Sequence, residues 1–292
     1  MADFFTALGL RPQAVHRVET KAGETDFISF VLPGTAGRSR GGDRPTLGVV
    51  GQLGGVGARP DRLGLVSDAD GALVALAAAL KLLDMGKRGD VLEGDVMVTT
   101  HVCPDAPTIP HDPVPFMGSP ADMGTSLEHL VSPEMDAILS VDTTRGNRII
   151  NHRGFAISPT VKEGYVLRVS EDLLSLMQDV TGRPPVVLPV TTQDLTPYGN
   201  GVYHLNSILQ PATVTAAPVV GVALTSESIV PGSATGANQP VDIEMAARFV
   251  IEVAKAFTAG RAGFYDPTEY DRLVKLYGRL GHLQRKDGSR RG

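Results

Sequence analysis

Residues 94–117 read GDVMVTTHVCPDAPTIPHDPVPFM, and the change of character within this stretch decides the fold class. Val96 to Thr100 is an apolar, β-branched run that reads as a buried strand. The loop that follows carries prolines at 104, 107, 110, 113 and 115, which fix φ and remove backbone donors, so regular structure is not expected there. It gathers His101, Cys103, Asp105, His111 and Asp112 just beyond the strand, where open α/β sheets place their sites. His101, Asp112 and Cys103 are accordingly candidate catalytic groups.

Outward from this stretch, strand and helix signals alternate. Thr46 to Leu53 reads as a buried strand, and glycines at 51, 54, 55 and 57 turn it into a loop whose backbone can approach a ligand. From Gly71, the residues Leu73, Leu76, Ala77, Leu80 and Leu83 recur at helical spacing, with Asp70 as the expected cap and Gly86 as the stop. Strands are predicted over Ala137 to Val141, Val186 to Thr191 and Val219 to Leu224, and a helix over Glu171 to Val180. Asp242 to about Phe257 carries Ile243, Ala246, Ala247, Val250, Ala254 and Phe257 on one helical face, and Thr268 to Leu280 predicts a last helix. With no internal repeat and no linker composition, residues 1–292 read as one α/β domain, residues 1–15 and 284–292 being peripheral.

Composition narrows the function. A chain of 292 residues with 42% apolar content can bury a sizeable core. A net charge of -5 and a pI near 5.8 offer no basic surface for nucleic acid, and the basic stretch Arg285 to Arg291 reads as a solvated end. No run approaches the roughly 18 apolar residues of a membrane helix, and no secretory leader is apparent, so a cytoplasmic location is expected. A single cysteine excludes an internal disulfide. Apolar residues outside the clear core elements are compatible with a homo-oligomer.

Acidic residues recur at strand ends: Asp68 ahead of the helix in LVSDADGA, Asp142 closing LSVD, and Asp194 after VVLPVTTQ. Carboxylates and imidazoles projected from several strand ends suit a divalent ion, zinc or manganese, with Asp68, His101, Asp142 and His111 as candidate ligands. There is no HExxH and no CxxC. Gln52, Arg145, Asp194 and His204 are candidate substrate-binding residues. Arg145 could grip a carboxylate, while Tyr198 and His204 flank the turn at Asn200-Gly201. Arg153 is a further candidate of the same kind, although for both arginines a surface or ion-pair role is the commoner explanation.

The stretches GLVSDADGALVALAAALKLLDM, MDAILSVDTTRGNRIINHRGFAISPTVKEGYVLRVS, TTQDLTPYGNGVYHLNSILQPA and PGSATGA, with the 94–117 segment, resemble the uncharacterised prokaryotic family of domains of unknown function numbered 1177. More distantly, SDADGALVALAAALKLL is similar to the segment of co-catalytic zinc exopeptidases in which a metal-bridging Asp precedes a glycine and a long apolar helix. That resemblance implies Asp68 as bridging ligand, Gly71 as close-packing glycine, and Asp142 and Asp194 as counterparts of later acidic positions. It also implies a three-layer αβα sandwich around a mixed, mostly parallel sheet. The chain departs from the pattern at Gln52, where those enzymes carry a histidine, at TTHVCPD in place of paired glutamates, and in lacking a final histidine before the last long helix.

Three readings follow. The first is a metal-dependent hydrolase of a small amide or short peptide with an altered ligand set. The second is a metal-free enzyme using Cys103 with His101 or His111, oriented by Asp105. The third is a non-catalytic small-ligand-binding or assembly protein on a degenerate hydrolase scaffold.

Overall fold

The computed structural model describes residues 1–52, 54, 67–110, 116–144, 146, 148–190, 205–227 and 238–284. The chain opens with helix α1 (Ala2–Ala7) and a hairpin of β1 (Ala14–Thr20) and β2 (Gly23–Leu32), paired from Ala14↔Ser29 to Thr20↔Gly23. Strand β3 (Leu47–Gly51), helix α2 (Asp70–Lys87) and strand β4 (Val96–Val102) form a parallel strand-helix-strand unit. A separate two-stranded piece pairs β5 (Thr108–Ile109) with β6 (Phe116–Met117). Helix α3 (Met123–Leu130) then leads into β7 (Ala137–Thr143), β8 (Gly154–Ile157), β9 (Val161–Lys162), β10 (Tyr165–Val166) and helix α4 (Glu171–Thr181). A 3-10 segment (Ser207–Thr213), β11 (Val219–Thr225), α5 (Pro240–Thr258) and α6 (Pro267–Tyr277) complete the described elements.

Local chemistry sets several of these boundaries. Asp122, Ser170 and Asp266 cap α3, α4 and α6 by accepting backbone N–H groups of Thr125, Leu173, and Thr268 with Glu269. Gly182 ends α4 in the left-handed conformation, φ 63°. Strands β3 and β11 are buried along their whole length, as central parallel strands covered on both faces must be.

The principal sheet has the order β1-β2-β4-β3-β7-β11-β9-β10, with β8 also paired to β11. Its centre, β4-β3-β7-β11, is parallel, and the flanking strands are antiparallel. One face packs Val49, Val98, Leu139 and Val222 against α2, α4 and α5. The other packs Val50, Met97, Ile138 and Ala223 against α3 and the 3-10 segment. The result is a three-layer α/β fold with an unequal pair of outer layers. Among the described residues no helix is long and apolar enough to cross a membrane.

The structure corrects several expectations. His101 lies within β4 rather than in the loop beyond it. Residues 108–109 and 116–117 form ladder pairs despite the surrounding prolines, because these four positions are not proline. Asp70 is the first residue of α2 and not its cap; the N-cap is Ala69, with no side-chain capping bond. Over Val186 to Val190 there is only a bridge, Ile157↔Val187, in place of a strand. The β1–β2 hairpin and α3 were not legible: β1 is mostly exposed and polar, and α3 is only 8 residues long. The segment 1–15 is not wholly peripheral, since Phe5 is buried with its ring 4.7 Å from that of Phe30.

Candidate active site at the sheet edge

The register of the central strands brings three polar side chains into one row. Gly51 pairs with Thr100 on one side and Val141 on the other, so the next residues along β4, β3 and β7 are His101, Gln52 and Asp142. The backbone N–H of Gln52 donates to Val141 O at 2.9 Å, which carries the alignment one residue past the end of β3. Side chains alternate along strands, so these three share a face with Thr99, Val50 and Ser140, the face covered by α3. Neighbouring strands lie about 4.8 Å apart, which puts the His101 and Asp142 backbones about 10 Å from each other with Gln52 between them. The row sits at the carboxyl edge of four parallel strands.

His101 is 1% exposed and its ring stacks on Phe27 at 5.4 Å. Its Nδ1 is 3.5 Å from Thr25 Oγ1, whose hydroxyl donates to Val102 O at 3.2 Å. With that proton committed, the consistent tautomer has Nδ1–H donating to Thr25 and leaves a lone pair on Nε2, a buried atom with no hydrogen-bond partner among the described residues. Burial pushes the imidazole down to about 4, so it is neutral at pH 7. Gln52 is buried and its Nε2 donates to Ser140 Oγ at 2.8 Å. Asp142 is 8% exposed and accepts from the Thr143 N–H at 2.7 Å.

Asp68 and Asp70 reach the same edge from the opposite face. They lie on a 3-10 turn (Ser67–Ala69) and at the start of α2, where the helix N-terminus favours carboxylates. A Cβ at Gly71 would collide with the carbonyl oxygens of Gln52 and Val141, so only glycine lets the helix start dock on the ends of β3 and β7. Both aspartates are buried, and Asp70 accepts a hydrogen bond from the Asn238 side-chain amide.

Cys103 is also buried. Its Sγ donates to Glu24 O at 3.3 Å, and burial pushes the thiol up to about 11, so it is protonated at neutral pH. Arg153 is half exposed and lies 3.7 Å from Asp242, an ion-pair placement. His111, Asp112, Arg145, Asp194, Tyr198 and His204 lie outside the described residues. Among the described residues no three His, Cys, Asp or Glu side chains converge as a metal-binding group. The donor chemistry of Asp68 and Asp142 suits a divalent ion, but the described residues alone do not complete a ligand set.

Sequence reasoning missed the partners that define this edge. Ser140 carried a signal, as the polar residue two before Asp142 in an otherwise apolar strand. Thr25, Phe27 and Asn238 carried none, because only tertiary pairing brings them to His101 and Asp70. His16 of β1 and His129 of α3 likewise prove to be neighbours, their rings stacked at 5.0 Å.

A family model described as "Protein of unknown function (DUF1177)" matches residues 16–287. Among solved structures, the fold is similar to that of the bottromycin maturation enzyme BotP, with a TM-score of 0.53 at 16% identity over 89% of this chain and 65% of that one. A cytosol aminopeptidase from Coxiella burnetii matches with a TM-score of 0.46 at 15% identity, over 88% of this chain and 62% of that one. The chain thus spans less than two thirds of the length of either. A search of curated proteins finds no match.

Proposed function

The chain belongs to the DUF1177 family, and from the geometry of its sheet edge we propose that it is a hydrolase acting on a small amide or short peptide. The observation that carries this reading is the buried row His101–Gln52–Asp142, in which a neutral imidazole keeps Nε2 without a partner among the described residues. Nε2 can accept a proton, and the nearby Asp142 carboxylate and a polar substrate would have to favour the imidazolium that burial opposes. The Nε2 lone pair takes a proton from water, the water oxygen adds to the amide carbonyl carbon, and the proton passes to the leaving nitrogen as the C–N bond breaks. Thr25 fixes the ring through Nδ1, and stacking on Phe27 prevents rotation. The Gln52 amide and the Asp142 carboxylate line the path beside it and orient the polar end of the substrate.

A divalent ion, zinc or manganese, belongs to this proposal. Asp68 and Asp142 would hold it, and it would supply carbonyl polarisation and a more acidic water. The test is hydrolysis of a panel of short peptides and N-acyl amino acids, with added zinc or manganese and with chelator. His101→Ala is expected to lower kcat by roughly 100-fold or more, the usual worth of a general base. His101→Gln, checked for an unchanged fold by circular dichroism, should behave the same way. Turnover indifferent to both variants and to chelator would overturn the proposal.

A further inference from the structure

A cavity of about 310 Å³ opens at the C-terminal end of α2. It lies one helix length, about 27 Å, from the edge that holds Asp68. Leu10, Leu32, Leu82, Leu83, Leu92 and Val96 line it, while Arg40, Lys87 and Asp90 are its exposed charged residues. The volume is at the lower end of the range for small-molecule sites, and the lining is apolar apart from that charged group.

Two features indicate what fits. The first is charge. Arg38 pairs with Asp136 at 2.7 Å and Arg44 with Glu93 at 2.8 Å, but Arg40, between them in sequence, makes no ion pair among the described residues. Lys87 is tethered by a hydrogen bond to the Leu8 carbonyl, whereas no hydrogen bond or ion pair among the described residues holds the Arg40 guanidinium, and the three charges sum to one positive. The second is Gly86, part of the cavity wall. It lies within α2 without a positive φ, and a Cβ added there would meet nothing within 4 Å. Glycine costs up to about 1 kcal/mol relative to alanine in a helix interior and less in the last turn, where Gly86 lies, and no contact of the described residues requires it. Its effect is to leave the cavity wall open.

We propose that this cavity binds a small apolar monocarboxylate, with the hydrocarbon chain against the leucines and the carboxylate on Arg40. The site is distinct from the sheet edge and does not depend on the reaction proposed there.

Calorimetric titration of the full chain with sodium octanoate tests this. The wild type should bind octanoate saturably at one per chain, and Arg40→Gln should weaken it at least about 10-fold, the worth of a charge-assisted contact. Gly86→Leu should abolish binding by filling the wall, and Leu83→Glu should do so by placing a negative charge there. Gly86→Ala serves as a folded control whose melting temperature should not fall. The proposal is overturned by an absence of saturable octanoate binding to the wild type, or by octanol binding as tightly as octanoate with Arg40→Gln unchanged. Binding that survives both Gly86→Leu and Leu83→Glu, or leucine binding in preference to octanoate, would overturn it equally.

Discussion

The two faces of the central sheet are built for different ends. On the α2/α4/α5 face, large apolar side chains interlock, as where Phe155 meets Phe249 at 5.1 Å, and the buried hydroxyls of Thr100 and Thr258 each donate to a backbone carbonyl. The α3 face has a thinner cover and buries His101, Gln52, Ser140 and Asp142 near its edge. Among the described residues, the His101 Nε2, the Asn206 Oδ1 and the Thr225 Oγ1 are enclosed there without hydrogen-bond partners, whereas on the other face such an atom, the Asp242 Oδ1 of α5, has the Arg153 guanidinium 3.7 Å away. Enclosing a polar atom in this way costs about 1–3 kcal/mol. The first face supplies stability that the second spends, and the expenditure falls at the edge where α/β sheets carry function.

Mutations on either face test this division of roles. Phe249→Ala on the α2 face should cost about 3–5 kcal/mol of unfolding free energy, because a fully buried ring leaves a cavity behind. Denaturant titration at pH 7 reads this directly, and a loss below 1 kcal/mol would mean that this face is not the main source of stability.

The second prediction concerns pH. The folded pKa of His101, about 4, lies below the ordinary 6.5, so between these values the unfolded chain binds a proton that the folded chain does not. The stability that His101 protects is therefore fully present above pH 6.5 and declines as pH falls towards 4, by a total on the order of 3 kcal/mol. Unfolding curves for wild type and His101→Gln at pH 7.5 and 4.5 should differ in slope accordingly. Parallel pH profiles would show that the ring is not held neutral by the fold.

Smaller effects sharpen the contrast. Gln52→Ala removes the donor to Ser140 and should lower stability by about 1–2 kcal/mol, measured by thermal or chemical melting. Thr225→Val replaces a hydroxyl that makes no hydrogen bond among the described residues with a methyl group of nearly the same shape, and should leave stability unchanged or raise it by about 1 kcal/mol. A clear loss at Thr225 would show that this face is satisfied like the other.

The elements that were legible in the sequence are those whose burial pattern is local. The apolar face of α5 and the all-apolar runs of β3 and β11 identify themselves, because a central element has the same surroundings along its whole length. The β1–β2 hairpin does not, since an edge strand such as AVHRVET is polar and draws its order from pairing with β2. His101 was legible as a site candidate but not as a strand residue: the prolines after it imply a loop, yet pairing with Phe27 extends β4 through Val102. Asp70 looked like a cap and is instead a buried helical carboxylate bound to Asn238, 168 residues away.

By itself, the sequence determined the α/β class, the order of the central strands and helices along the chain, and the polar residues at the ends of those strands. These follow from periodicity and from turn chemistry, which act over a few residues. Only the tertiary structure decided that His101, Gln52 and Asp142 stand side by side, that His101 is neutral and lacks a partner at Nε2 among the described residues, and that α2 joins this edge to an apolar cavity beside Arg40. Strand register and burial are properties of contacts between distant segments, so a local pattern carries no record of them.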